Sequence, residues 1–272
     1  MIEAGPALLF CPADRPERFA KAVARADAVI VDLEDAVAPD AKTRARGALI
    51  EADLDPDRVI VRVNPTGSAD FVSDIATLSQ TDFRTIMVAK AEDPRAVARI
   101  DSRFAVVALC ETAAGVVAAD ELAALSNVRA LMWGAEDLVA SLGGTSSRKR
   151  NGRYRDVARA ARARVLLAAG ARGISAIDAV HLDIGDLKGL AREATDAAAS
   201  GFSATACIHP AQVEVIRRAY APGIEEVGWA RAVLDAADRE RGVFSFEGRM
   251  VDEPVLRHAR TLLRRAEVAP EV

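Results

Sequence analysis

Aromatic side chains are scarce in this chain. Phe, Tyr and Trp together make up 4% of its 272 residues, so a core built on rings is excluded and an aliphatic one is required. Cysteine is scarce too. Cys11, Cys110 and Cys207 are odd in number and have no metal-type spacing, which excludes a disulfide framework or a Cys/His zinc cluster. Each lies within or just after an apolar run, as reduced thiols in a core do, and a cytoplasmic location is expected. No run approaches the roughly 20 apolar residues of a membrane helix. The opening MIEAGPALLFCPADR lacks the basic segment of a signal peptide. Positive charge is not in excess either. A net charge of −4 gives no reason to expect nucleic acid or an anionic membrane as partner.

Apolar residues, in contrast, form 51% of the chain, enough for a sizeable core. Eight short runs rich in Val, Ile, Leu and Ala recur: 7–11, 28–33, 58–63, 85–90, 105–110, 129–134, 174–182 and 204–209. They are too continuous for strands wetted on one face and fit strands covered on both. Between them lie Ala- and Arg-rich stretches with helical patterning, at 15–26, 39–52, 112–125, 153–170 and 186–200. The fourth is expected to end at Gly170 and the fifth before Gly201. Eight strand–helix units predict an α/β fold, a (β/α)8 TIM barrel, over residues 1–220. No GxGxxG follows the first run, which disfavours a dinucleotide-binding sheet. Residues 221–272 are expected to form a C-terminal extension with a helix at 224–240, a hairpin turning at Glu247–Gly248 and a last helix from Glu253.

In such barrels the site lies at the C-terminal ends of the strands. Reading only those ends gives Asp14; Asp32, Glu34 and Asp35; Arg62 and Asn64; Lys90; Glu111; Glu136 and Asp137; Asp183; and His209. The strand starts are far blander. That asymmetry points to an enzyme. Many acids and one histidine suit a hard cation such as Mg2+, with Glu111 and Asp137 ending neighbouring strands as its two protein ligands. Arg62 is suited to a substrate carboxylate or an oxyanion.

At these residues the chain resembles the citrate lyase beta-subunit-like proteins, together with the malyl-CoA and citramalyl-CoA lyases of the Mg2+-dependent aldolase superfamily. The matching stretches are LLFCPADRPERFAKA (8–22), VIVDLEDAVAPDAK (29–42), VRVNP (61–65), ALCETAAGV (108–116), LMWGAEDLVASLGG (131–144), AIDAVHLDI (176–184), GFSATACIHPAQV (201–213) and GRMVDEPV (248–255). Their order along the chain makes the set specific. The resemblance implies Mg2+ on Glu111 and Asp137, and Arg62 on the substrate oxygens. It implies a substrate-binding stretch that includes Ala135 and Glu136, and an acidic rim of Glu34 and Asp35. It also implies that Asp252 is an acid donated by a neighbouring subunit of a homotrimer or hexamer. Arg15, Arg18 and Lys21 fall where relatives carry basic residues near coenzyme A phosphates. The implied reaction splits a carboxylated 3-hydroxyacyl-CoA thioester into an acyl-CoA and a keto acid.

Plainer readings exist for each position. Glu111 and Asp137 could be rim acids in structural ion pairs, and Arg62 could brace Glu34 or Asp35. Glu136, beside Asp137, is expected to turn toward a basic rim residue. Asp252 by itself reads as a helix N-cap before Glu253 and Pro254. His209 reads as a hydrogen-bonded support, and His181 and Asp183 as structural. Lys90 could be a Schiff-base lysine, although the metal-type acids beside it speak against that. Three other functions remain: a citrate lyase subunit acting on a carrier-protein thioester, a keto-acid aldolase that uses no coenzyme A, and an inactive barrel serving as scaffold.

Overall fold

All eight apolar runs form strands, and the strands close on themselves. In the computed structural model, which describes residues 5–240 and 242–268, the strands are β1 (Ala7–Pro12), β2 (Ala28–Asp32), β3 (Val59–Val63), β4 (Thr85–Val88), β5 (Ala105–Cys110), β6 (Val128–Trp133), β7 (Ser175–Asp178) and β8 (Ala204–Cys207). They pair in parallel in chain order, and β1 also pairs with β8, so the sheet is a closed (β/α)8 barrel. The strands end earlier than the apolar runs at 85–90, 174–182 and 204–209. Lys90, His181 and His209 lie beyond their strands, in the loops of the barrel mouth.

Alternation along the strands decides what fills the barrel. Leu8, Ala28, Ile30, Ile60, Met87, Val107, Leu109, Ala130, Met132, Ile177, Ala204 and Ala206 form one buried cluster. Where a strand contributes two members they are two residues apart, as inward-facing positions must be. One more step of two carries β2 from Ile30 to Asp32, β3 from Ile60 to Arg62 and β5 from Leu109 to Glu111. The apolar filling therefore gives way to charge at one end of the barrel.

The helices mostly follow the sequence pattern, with two departures. The stretch 112–125 is two short helices, Ala113–Val117 and Ala119–Ala123, which meet at Ala118 with ψ near 0°. The helix expected over 153–170 is Asp156–Arg172 and runs through Gly170; it stops at Gly173, whose φ of +65° is the left-handed conformation that glycine adopts freely. Gly201 likewise ends Leu187–Ser200. The sequence pattern also passed over helices Ala69–Leu78 and Pro94–Ala98.

The chain divides into two compact units between Ile216 and Arg217, inside the helix Pro210–Tyr220. In the second unit, helices Ile224–Ala237 and Glu253–Val268 share a core of Ala230, Val233, Val251, Ala259 and Leu262. Between them β9 (Phe244–Phe246) and β10 (Arg249–Val251) form an antiparallel hairpin. Its turn residues Glu247 and Gly248 both have positive φ, as a two-residue turn matched to strand twist requires. Among the described residues no helix is long and apolar enough to cross a membrane.

Candidate active site at the barrel mouth

Asp32 and Arg62 are register partners on β2 and β3. The Arg62 Nε and Nη2 donate to the two Asp32 carboxylate oxygens, each at 2.6 Å, and Nη1 lies 3.1 Å from Glu34 Oε2. A guanidinium has five N–H donors, so two remain for a ligand. Burial opposes the charge of Arg62, but Asp32, Glu34 and Glu111 outweigh it and hold the group firmly protonated. The bracing and the substrate reading of Arg62 are thus compatible. The β2 loop is fastened from behind. Asp32 accepts from the Glu34 and Ala36 amides, and Lys42 Nζ donates to Leu33 O, Glu34 O and Asn64 Oδ1. Asn64 in turn donates to the fully buried Asp74.

Glu111 is 3% exposed and accepts one hydrogen bond, from the Lys90 amide at 3.1 Å. Burial and the nearby Asp137 carboxylate raise its pKa to about 8, against the pull of Arg62 and Lys90. Asp137 sits in the first turn of the helix Ala135–Ser141, with its side chain 37% exposed toward the mouth. The end of β6 passes close to Glu111. A Cβ on Gly134 would lie 2.8 Å from Glu111 Cβ and 3.0 Å from Oε2, so this approach needs glycine. The far end of the same helix is tied to the loop after Glu111, because the Ala113 amide donates to Ser141 Oγ.

Among the described residues no three His, Cys, Asp or Glu side chains converge into a metal cage. Two neighbouring carboxylates, one buried and short of donors, match instead an ion that keeps water and substrate oxygens as its other ligands. Mg2+ has that preference and tetrahedral zinc does not.

Lys90 ties the rim together. Its Nζ lies 2.5 Å from Glu34, 3.0 Å from Asp35 and 3.5 Å from Asp137. Burial pushes Glu34 above the ordinary carboxylate range, against the pull of Arg62 and Lys90. For Asp35 the effect of burial is reversed by Lys90, which brings it below that range. The same acids keep the Lys90 ammonium charged despite partial burial, which argues against a neutral Schiff-base lysine.

The remaining expected positions divide. Ala135 is buried at the start of its helix. Glu136 turns away from Asp137 and accepts from Ser147 Oγ at 2.5 Å, a serine rather than the basic partner expected. Arg15, Arg18 and Lys21 are exposed just past β1, on the same rim; the nearest acids to Arg15 and Arg18, Asp14 and Glu17, are 4.0 and 3.9 Å away. In the second unit Asp252 caps the last helix, accepting from the Val255 amide. His209 Nδ1 accepts from Ala211, Asp183 caps the amides of Gly185 and Asp186, and His181 pairs with Glu193, all structural contacts. Sequence reasoning passed over Asp32 and Lys42 as site residues. Asp32 was visible as a strand-end acid one step inward of Glu34; nothing in the sequence marked Lys42. A cavity of about 1070 Å3 lies between helices Asp156–Arg172 and Leu187–Ser200, away from these acids.

Comparison with known proteins places this geometry among relatives. The family model described as HpcH/HpaI aldolase/citrate lyase matches residues 7–210. A citrate lyase subunit beta-like protein of Mycobacterium tuberculosis is 57% identical over 263 residues, covering 97% of this chain and 96% of the relative. The mitochondrial citramalyl-CoA lyase of Homo sapiens is 30% identical over 286 residues, covering 93% of this chain and 83% of that protein. The crystal structure of CitE from Mycobacterium tuberculosis in complex with magnesium, acetoacetate and coenzyme A superposes with a TM-score of 0.92 at 56% identity, over 98% of this chain and all of that one.

Proposed function

The chain belongs to the HpcH/HpaI aldolase/citrate lyase family, and from that premise we propose that it is a Mg2+-dependent carbon–carbon lyase acting on a carboxylated 3-hydroxyacyl-CoA thioester of the malyl, citramalyl or hydroxymethylglutaryl type. The observation that carries this reading is the buried, donor-poor Glu111 beside Asp137 on the rim that also holds Arg62. Glu111 and Asp137 would hold the metal. Bound there, it would supply the Lewis acidity that makes the substrate hydroxyl more acidic.

Arg62, fixed by Asp32 and Glu34, offers its two remaining N–H groups to the oxygens of the forming keto acid. Transfer of the hydroxyl proton to the acidic rim of Glu34 and Asp35 turns that carbon into the carbonyl and breaks the C2–C3 bond. The bonding electrons pass to the thioester fragment as an enolate. Asp252 of a second copy protonates the enolate carbon and completes the acyl-CoA. Arg15, Arg18 and Lys21 receive the phosphates of coenzyme A. Donation of Asp252 requires a homo-oligomer, a trimer or hexamer. The cysteines, none in a disulfide, suit a cytoplasmic setting.

The test uses the purified protein alone with Mg2+ and a panel of malyl-, citramalyl- and hydroxymethylglutaryl-CoA, read by mass spectrometry. Release of an acyl-CoA with its keto acid from at least one is expected. The similarity to a citrate lyase subunit beta-like protein favours a second reading, a subunit acting on a carrier-protein thioester. Turnover only after partner subunits and carrier protein are added supports that second reading, and no turnover at all ends both. Full activity in a dilute monomer contradicts the donated Asp252.

A further inference from the structure

Lys90 has a strained backbone. Its φ is +47°, and among the described residues the only other non-glycine residue with positive φ is Glu247 in the hairpin turn. A side chain adopts this conformation at a cost, and surrounding contacts must hold it there. Here the turn aims the Lys90 amide at Glu111 Oε1 and the ammonium at Glu34, Asp35 and Asp137. One residue thus touches both carboxylates assigned to the metal and both acids of the rim.

Charge gives this arrangement a consequence. Asp32, Glu34, Asp35, Glu111 and Asp137 are five acids around two cations, Arg62 and Lys90. With every acid ionised the rim carries three negative charges, and a divalent ion leaves one. The proposed substrate and its keto-acid product are anions that must enter this field. Lys90 reduces the field by one charge without occupying a metal position.

We propose that Lys90 is a positioning and charge-setting residue that weakens the site's hold on the metal and strengthens its hold on the anionic keto acid. This rests on the lyase reading above. The two effects have opposite signs. Removing one positive charge beside the site favours a cation and disfavours an anion, whereas removing a merely structural clamp lets the acids spread and weakens both.

The experiment compares the full-length protein with Lys90→Met, Lys90→Gln and Lys90→Arg. Mn2+ uptake is followed by electron paramagnetic resonance, and pyruvate binding to the Mg2+-saturated protein by calorimetry. Lys90→Met and Lys90→Gln bind Mn2+ about tenfold more tightly and pyruvate about tenfold more weakly than wild type. Lys90→Arg stays within about threefold of wild type for both. Neutral variants that weaken both ligands, or shift neither, overturn the inference and leave the lyase reading intact. A wild-type protein that takes up no Mn2+ overturns the lyase reading, and this inference with it.

Discussion

Glu111 and Asp178 are both buried acids at the C-terminal ends of barrel strands, 3% and 5% exposed, yet their surroundings are opposite. Asp178 accepts from the Trp133 indole at 2.5 Å, from Arg162 Nε and Nη2, and from the Ala179 amide. Arg162 then reaches Asp196. Among the described residues Glu111 receives one backbone amide and no side-chain donor. Burial does not separate the two acids, but the supply of donors does. Alternation explains why. Asp178 follows the inward Ile177 and so faces outward toward the helices, whereas Glu111 is two residues beyond the inward Leu109. A buried acid whose donors are all present is structural. One left short of donors is suited to a cation.

Four expected effects probe this distinction. The largest effect is expected at the metal ligands. Glu111→Gln and Asp137→Asn should each lower kcat/KM about ten-thousandfold, or about 5 kcal/mol of transition-state stabilisation, without lowering the melting midpoint in a chelator. A Glu111→Gln variant that kept its turnover would erase the difference between the two acids. Asp178→Ala should do the reverse. It leaves Trp133 without its acceptor and Arg162 with Asp196 alone, and should cost about 3–5 kcal/mol by chemical denaturation, while the folded protein keeps its Mn2+ affinity.

A third effect is visible in pH. The Glu111 pKa is about 8 in the folded protein, against an ordinary 4.5, so the folded state binds the proton more tightly than the unfolded one. Stability without metal should therefore fall as pH rises from about 4.5 to about 8, by roughly a few kcal/mol. The fall should be smaller in Glu111→Gln when melting is followed in a chelator. The smallest effect is expected from Gly134→Ala. Its Cβ crowds Glu111 and should cost about 2 kcal/mol, with a matching drop in Mn2+ affinity.

Much of this was legible in the residues. The eight buried runs give the barrel, because strands covered on both faces carry unbroken apolar sequence. The acids at 111 and 137 follow from reading strand ends. What stayed hidden depends on conformation rather than residue type. Gly170 and Gly173 look alike as helix stops, and only Gly173 takes the left-handed turn. Lys90 reads as an ordinary strand-end lysine until its φ is known. Asp32 reads as one acid among three, and its bond to Arg62 depends on the pairing of β2 with β3. The helix at 69–78 begins at a Ser68 cap whose contact with Phe71 is local, but its one buried acid, Asp74, is explained only by Asn64 and Arg46 from other elements.

Calorimetric titration of Mg2+ at pH 7, repeated in buffers of different ionisation enthalpy, counts the protons released as the metal binds. With its pKa near 8, Glu111 is mostly protonated at that pH and must ionise to hold the ion. The wild-type protein should release close to one proton per Mg2+ bound, and Glu111→Gln should bind weakly and release none. Equal Mg2+ affinity in Glu111→Gln would contradict a metal seated on that carboxylate, and binding with no proton release would contradict its raised pKa.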